Sequence, residues 1–182
     1  GSCVSMIRNH YSDLFEGDPE ATSETEAISA RIFEFTEYVD ILFKELGICD
    51  LDTFGDSCEK SRVTYHDACH LRRELGISRT PRRLLEMIPG VELIEMERAE
   101  VCCGFGGTFA VKYSEISSAM LDDKLDTIIK SQADVVTAAD SSCLMNIAGG
   151  LERRNTPIKS LHIAEVLDHM MPDIGGVDKK RI

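Results

Sequence analysis

Two cysteines stand side by side at positions 102 and 103, and three of the next four residues are glycine: Val101-Cys102-Cys103-Gly104-Phe105-Gly106-Gly107-Thr108-Phe109. Adjacent cysteines do not readily pair with each other, because a disulfide needs Cβ atoms about 3.5–4.5 Å apart in a set torsional geometry. On a tight turn, both sulfurs can instead face one common guest. The glycines let the backbone take positive φ and pass close to it. Cys69 sits in a comparable setting, Tyr65-His66-Asp67-Ala68-Cys69-His70, and so does Cys143, in Asp140-Ser141-Ser142-Cys143-Leu144-Met145-Asn146. The second half of the chain therefore reads as a scaffold that gathers four thiolates.

The pattern around these cysteines predicts how. Arg62 to His66, Val91 to Met96, Asp134 to Ala138 and Pro157 to Ser160 are short β-rich runs. Helical stretches are expected over 71–75, 81–88, 114–131, 142–149 and 162–171. Strand and helix in alternation imply an α/β fold: a parallel sheet of about four strands, helices on both faces, and right-handed crossovers. Cys69 then follows the first strand, Cys102 and Cys103 the second, and Cys143 the third. In open α/β sheets ligands gather outside the carboxyl ends of the strands, so the four sulfurs are expected at one edge.

Four thiolates in one place repel one another unless a cation balances them. A four-iron cluster and a tetrahedral zinc both suit four sulfurs, and a bare redox dithiol or unrelated buried cysteines are the remaining options. The compact Cys-x-x-Cys pairs of common zinc ribbons are absent. Helix N-termini after Cys69 and Cys143 would add N–H donors and partial positive charge. His66 and His70 bracket Cys69 as further ligands or hydrogen-bond donors to sulfur, and Asp67 and Asp140 read as turn or cap residues. Phe109 stands where a dinucleotide fingerprint would need its third glycine, so no such loop is present.

The first sixty residues differ in character. They carry fourteen acids against four bases, most of the formal net charge of −12. That balance argues against nucleic acid as a partner. A short helix is expected over 5–15 and a long amphipathic one from about 22 to 46, its stripe (Ile28, Ile32, Phe35, Val39, Leu42, Phe43, Leu46) packing on the core. Cys49 and Cys58 flank an acidic loop and read as ordinary thiols. No apolar run approaches the ~20 residues of a membrane span, and no signal peptide is visible, so the expected location is cytoplasmic, where seven cysteines point to metal or redox use rather than disulfides.

The three cysteine segments resemble the cysteine-rich CCG domain found in heterodisulfide reductases, in the iron–sulfur component of glycolate oxidase and in lactate-utilisation iron–sulfur proteins of the LutA type. Phe105-Gly106-Gly107-Thr108-Phe109 and Cys143-Leu144-Met145-Asn146-Ile147 are closest to the lactate-utilisation branch, and the resemblance covers about residues 61–170. It implies an electron-transfer subunit of a lactate- or glycolate-oxidising complex, with Cys69, Cys102, Cys103 and Cys143 holding a [4Fe–4S] cluster that air can remove. Zinc in its place, in a structural or interaction module, is an alternative, as is a thiol–disulfide reductase. Many members end the last motif in Cys-x-x-Cys; here Asn146 takes the second position, which favours four ligands over five. Members usually carry two modules in tandem. Ser2-Cys3-Val4-Ser5-Met6-Ile7 echoes Ser142-Cys143-Leu144-Met145-Asn146-Ile147, so residues 1–60 are expected to be the tail of a preceding module plus a linker helix, and 61–182 the module itself. A cloning remnant at Gly1-Ser2 is the other reading.

Overall fold

A computed structural model describes residues 1–48 and 60–170; Cys49 and Cys58 lie outside the described residues. Four strands, β1 (Ser61–Tyr65), β2 (Val91–Leu93), β3 (Val135–Ala138) and β4 (Lys159–His162), form one parallel sheet in the order β2-β1-β3-β4. Val63 pairs with Leu93 on one side and Val135 on the other, and Thr137 pairs with both Tyr65 and Leu161. The two central strands are the buried ones. All four residues of β3 and the last three of β1 are shut from solvent, as expected of a parallel sheet covered on both faces.

The N-terminal helices are α1 (Ser2–His10), α2 (Pro19–Ser29) and α3 (Phe35–Glu45). From β1 onward follow α4 (Cys69–Arg73), α5 (Arg79–Glu86), α6 (Thr108–Lys112), α7 (Ser114–Lys130), α8 (Ser141–Arg153) and α9 (Ile163–Met170). Right-handed crossovers put α5, on the way from β1 to β2, and α7 and α8, on the way back across, on opposite faces. The packing agrees, since α5 touches α9 while α7 touches α8. Leu84, Leu85, Val136, Ile128, Ile147, Ile163 and Val166 are fully buried between these layers, each contributing about 1.5–3 kcal/mol of apolar burial.

The N-terminal expectation needs correcting. The long helix over 22–46 is two helices, because Glu34 breaks it. The Glu34 carboxylate accepts the Thr36 amide at 2.8 Å while Glu37 accepts the Glu34 amide at 3.3 Å, a reciprocal capping box that starts α3. Arg8 braces the break, donating to the Ile32 carbonyl at 2.6 Å and pairing with Glu37 at 2.7 Å. Of the expected apolar stripe, Phe43 is buried and Val39 packs on the core, but Ile28, Phe35 and Leu46 are exposed. The helix expected over 5–15 ends at His10 and gives way to a 3-10 turn, Ser12–Phe15. The second strand stops at Leu93 and the fourth begins two residues later than the sequence suggests.

Candidate metal centre

The strand order reverses direction between β1 and β3, and the crevice at such a switch point is where α/β sheets hold ligands. His66 follows β1 directly, and its backbone amide donates to the Thr137 carbonyl at 2.8 Å, keeping it in register with β3. Cys69 opens α4 and Cys143 lies in the first turn of α8, so both stand beyond the ends of the central pair. Asp140 caps α8, accepting from the Ser142 amide at 3.2 Å, the Cys143 amide at 3.4 Å and the Ser142 hydroxyl. The cap expected at Asp140 is therefore present. α4 is a single turn of five residues, too short for the helix dipole expected behind Cys69.

Cys102 and Cys103 arrive from the edge strand β2 along a loop that four groups tie down. The Ala99 carbonyl accepts the Asp67 amide at 3.2 Å, joining this loop to the one after β1. From α7, the buried Lys124 ammonium donates to the Arg98 carbonyl at 2.8 Å and to Ala99 at 3.2 Å. Further along α7, the Ser117 hydroxyl donates to the Gly104 carbonyl at 2.8 Å. Gly104 has φ +85°, and a Cβ there would stand 2.5 Å from the Ser117 carbonyl, so only glycine fits this approach. From α8, the Asn146 amide donates to the Cys103 carbonyl at 2.9 Å.

These constraints string the four sequence-predicted cysteines into a chain of neighbours, of which Cys103 and Cys143 stand in one tight group with His66, while Cys69 and Cys102 lie outside it. Cys69 neighbours Cys102, Cys102 neighbours Cys103, and Cys103 neighbours Cys143, each through its thiol. The Gly104 amide donates to the Cys102 sulfur at 3.4 Å. Cys103 and Cys143 are buried, whereas Cys69 and Cys102 are half-buried at the rim. A ring nitrogen of His66 and the sulfurs of Cys103 and Cys143 lie within 4.8 Å of one another. His70 is placed differently, half-exposed with Nδ1 3.7 Å from the Cys69 sulfur and Nε2 3.8 Å from Glu74. Cys3 is exposed on α1.

Crowding and burial disfavour the thiolate at Cys69, Cys102 and Cys103. The Cys102 thiol is pushed well up by its hydrogen bond with Cys103 and by burial. Cys103 rises to about 12; the hydrogen bond with Cys102 opposes the shift, but the contact with Cys143 and burial outweigh it. Burial, then the neighbouring Cys102, raises Cys69. His66 moves the other way, to about 4, through burial and the nearby Lys124. The donor set fits a soft cation: several thiols held as ligands are released from this penalty only by positive charge between them.

The sequence reading missed Lys124, Ser117 and the Asn146 bond. A signal for Lys124 existed, since it interrupts the apolar stripe of α7 between Leu121 and Leu125, where a solvated lysine does not belong. Asp67, expected as a turn residue, is instead a buried carboxylate held by Arg82 at 2.9 Å and Arg72 at 3.0 Å.

Comparison with known proteins agrees with this construction. The sequence profile of the CCG cysteine-rich domain matches residues 63–148. Lactate utilization protein A of Geobacillus thermodenitrificans is 41% identical over 169 residues, 93% of this chain and 67% of that protein. The protein of the same name from Geobacillus kaustophilus is 42% identical over 169 residues, 92% and 67% of the two chains, and that from an Exiguobacterium species is 41% identical over 168 residues, 92% and 65%. The chain thus spans about two thirds of the length of these relatives. With such identity along nearly all of its length, and with a CCG cysteine-rich domain over residues 63–148 that includes the double cysteine and its flanks, the chain belongs to the lactate utilization protein A family.

Proposed function

We propose that this chain is the iron–sulfur part of a lactate-utilising system, relaying electrons between a subunit that oxidises lactate or a similar 2-hydroxy acid and an acceptor. Cys69, Cys102, Cys103 and Cys143 hold a [4Fe–4S] cluster within the module over 61–182. What supports this reading best is the run of neighbouring thiols, Cys69 beside Cys102, Cys102 beside Cys103 and Cys103 beside Cys143, contributed by three separate segments near the switch point of one sheet. A cluster held there supplies a one-electron relay whose potential follows charge, hydrogen bonds to sulfur and exposure.

The residues divide the work. Buried Cys103 and Cys143 shut water from the inner side. Half-buried Cys69 and Cys102 leave an edge that another subunit can approach. The Gly104 amide and the Lys124 ammonium favour the thiolate form of Cys102 and Cys103. Among the described residues no helix is long and apolar enough to cross a membrane, so the partner subunits are met through this rim and the protein's other surfaces.

The test is anaerobic reconstitution with iron and sulfide. About four of each per chain are expected, and Cys102→Ser should abolish them. Full iron retention in that variant would overturn the assignment. A single zinc is a second reading with its own support: donors on one tetrahedral ion stand close together, as His66, Cys103 and Cys143 do. One zinc and no sulfide in protein purified without air would decide for it.

A further inference from the structure

His66 is fully buried; neither ring nitrogen makes a well-formed hydrogen bond, and the one polar group its ring approaches is the Ala99 carbonyl, which leaves at least one nitrogen bare. More than nine in ten buried polar groups in folded proteins are satisfied, and leaving one bare costs about 1–3 kcal/mol. The Ala99 carbonyl near the ring is already taken by the Asp67 amide at 3.2 Å and the Lys124 ammonium at 3.2 Å. What the ring does face is sulfur: one nitrogen lies within 4.8 Å of both Cys103 and Cys143. The β1–β3 register holds it there through the bond from the His66 amide to Thr137.

We infer that His66 is a direct nitrogen ligand on the buried side of the centre, beside Cys103 and Cys143, filling one of its four positions in place of the half-buried Cys69, and that His70 is not a ligand. This rests on the reading that the cysteines hold a metal group, but it adds a donor that the cysteine motif does not contain. An imidazole accounts for its own unpartnered nitrogen, brings no negative charge into a crowded set of sulfurs, and raises the potential of an iron–sulfur centre relative to an all-thiolate one. In a zinc site the same nitrogen gives a mixed cysteine–histidine donor set. His70, half-exposed beside Cys69 at the rim, is left free to contact solvent or a partner.

The experiment labels histidine with nitrogen-15 in the full chain and loads it anaerobically in two arms, one with iron and sulfide, one with cobalt(II) as a stand-in for zinc. Pulsed electron paramagnetic resonance then reads whether a histidine nitrogen couples to the metal. Strong coupling is expected in the unsubstituted chain and in His70→Gln, and its loss in His66→Gln. His66→Cys should restore metal content without nitrogen coupling and, in the iron–sulfide arm, at a lower midpoint potential; a purely structural histidine would not be rescued that way. Coupling that vanishes in His70→Gln, or a metal bound with no nitrogen coupling at all, overturns the inference and leaves the metal-site reading standing. Coupling in the cobalt arm alone, with no iron–sulfide uptake, supports the histidine ligand and rejects the electron-transfer reading. Failure of both arms to load overturns both. Because the unsubstituted chain and His70→Gln carry the decisive comparison, a poorly folded His66 variant does not spoil it.

Discussion

The side-chain amide of Asn146 donates to the backbone carbonyl of Cys103 at 2.9 Å. The helix that presents Cys143 therefore also fastens the double-cysteine turn, so the two halves of the buried side move as one unit. The resemblance to the wider CCG family would put the second cysteine of a Cys-x-x-Cys motif at this position. Here the same spot, one turn along from Cys143, aims a hydrogen bond at the backbone rather than a sulfur at the guest. Asn146→Ala should cost about 1 kcal/mol. In a chain of this size that lowers the melting temperature by roughly 2–4 °C, measured by thermal unfolding of the metal-free protein. It should also slow metal uptake, since the turn is no longer pre-set.

Lys124 fastens the same loop from the other side, through the Arg98 and Ala99 carbonyls. Lys124→Met keeps most of the volume but removes one of two donors from each carbonyl, Arg98 keeping the Val101 amide and Ala99 the Asp67 amide, which should cost about 1–2 kcal/mol. It also removes positive charge acting on Cys103, so the thiol becomes harder to ionise. Metal binding needs deprotonated sulfur. The pH midpoint of cobalt(II) or zinc uptake should therefore move upward in the variant. An unchanged midpoint, with the stability loss alone, would limit Lys124 to a structural brace.

What was legible beforehand follows a physical divide. The cysteines sit in short, self-punctuated segments whose strands and helices have strong local signatures, so the α/β fold and the common rim were both readable from Val63 to Ile147. Glu34 was not, because residue spacing of three and four runs on through Ile28, Ile32 and Phe35 whether or not a cap interrupts the helix. Lys124 and Asp67 escaped for a different reason. Apart from Arg72, five residues from Asp67, the partners named for them, the Arg98 and Ala99 carbonyls and the Arg82 guanidinium, are 15 to 26 residues away, and only the folded chain brings them near. Side chains that serve a distant backbone leave little mark on the local pattern.

His66 gives a pH signature in the metal-free chain. Its folded pKa is lowered from 6.5 to about 4 by burial, then by Lys124, against weaker opposition from Asp67 and Asp140. Between those values the unfolded chain binds a proton that the folded chain refuses. The stabilisation is thus complete above pH 6.5 and is lost as pH falls toward 4, by up to roughly 3 kcal/mol. Urea titrations from pH 7 to pH 4 should show this loss, and His66→Gln should flatten it in that window. Equal slopes for the two proteins would mean that the ring is not held neutral by burial.

The glycines of the cysteine turn make opposite predictions despite sharing a positive φ. Gly104 (φ +85°) would place a Cβ 2.5 Å from the Ser117 carbonyl and 3.3 Å from the Leu121 amide, both backbone atoms of α7 that cannot swing aside. Gly107 (φ +55°) has nothing within 4 Å of its Cβ position. Gly107→Ala therefore meets no neighbour, only the backbone penalty of φ +55° with ψ −109°, outside the left-handed helical well, about 1–3 kcal/mol, and should retain metal binding with a drop in melting temperature. Gly104→Ala meets its own positive-φ penalty and must also push the double cysteine off α7, breaking the Ser117 bond to its carbonyl. It should lose metal binding out of proportion to any change in helix content, read by circular dichroism beside an iron or cobalt count. If both variants bind metal equally well, the close seat of the turn on α7 is not what sets the sulfurs in place.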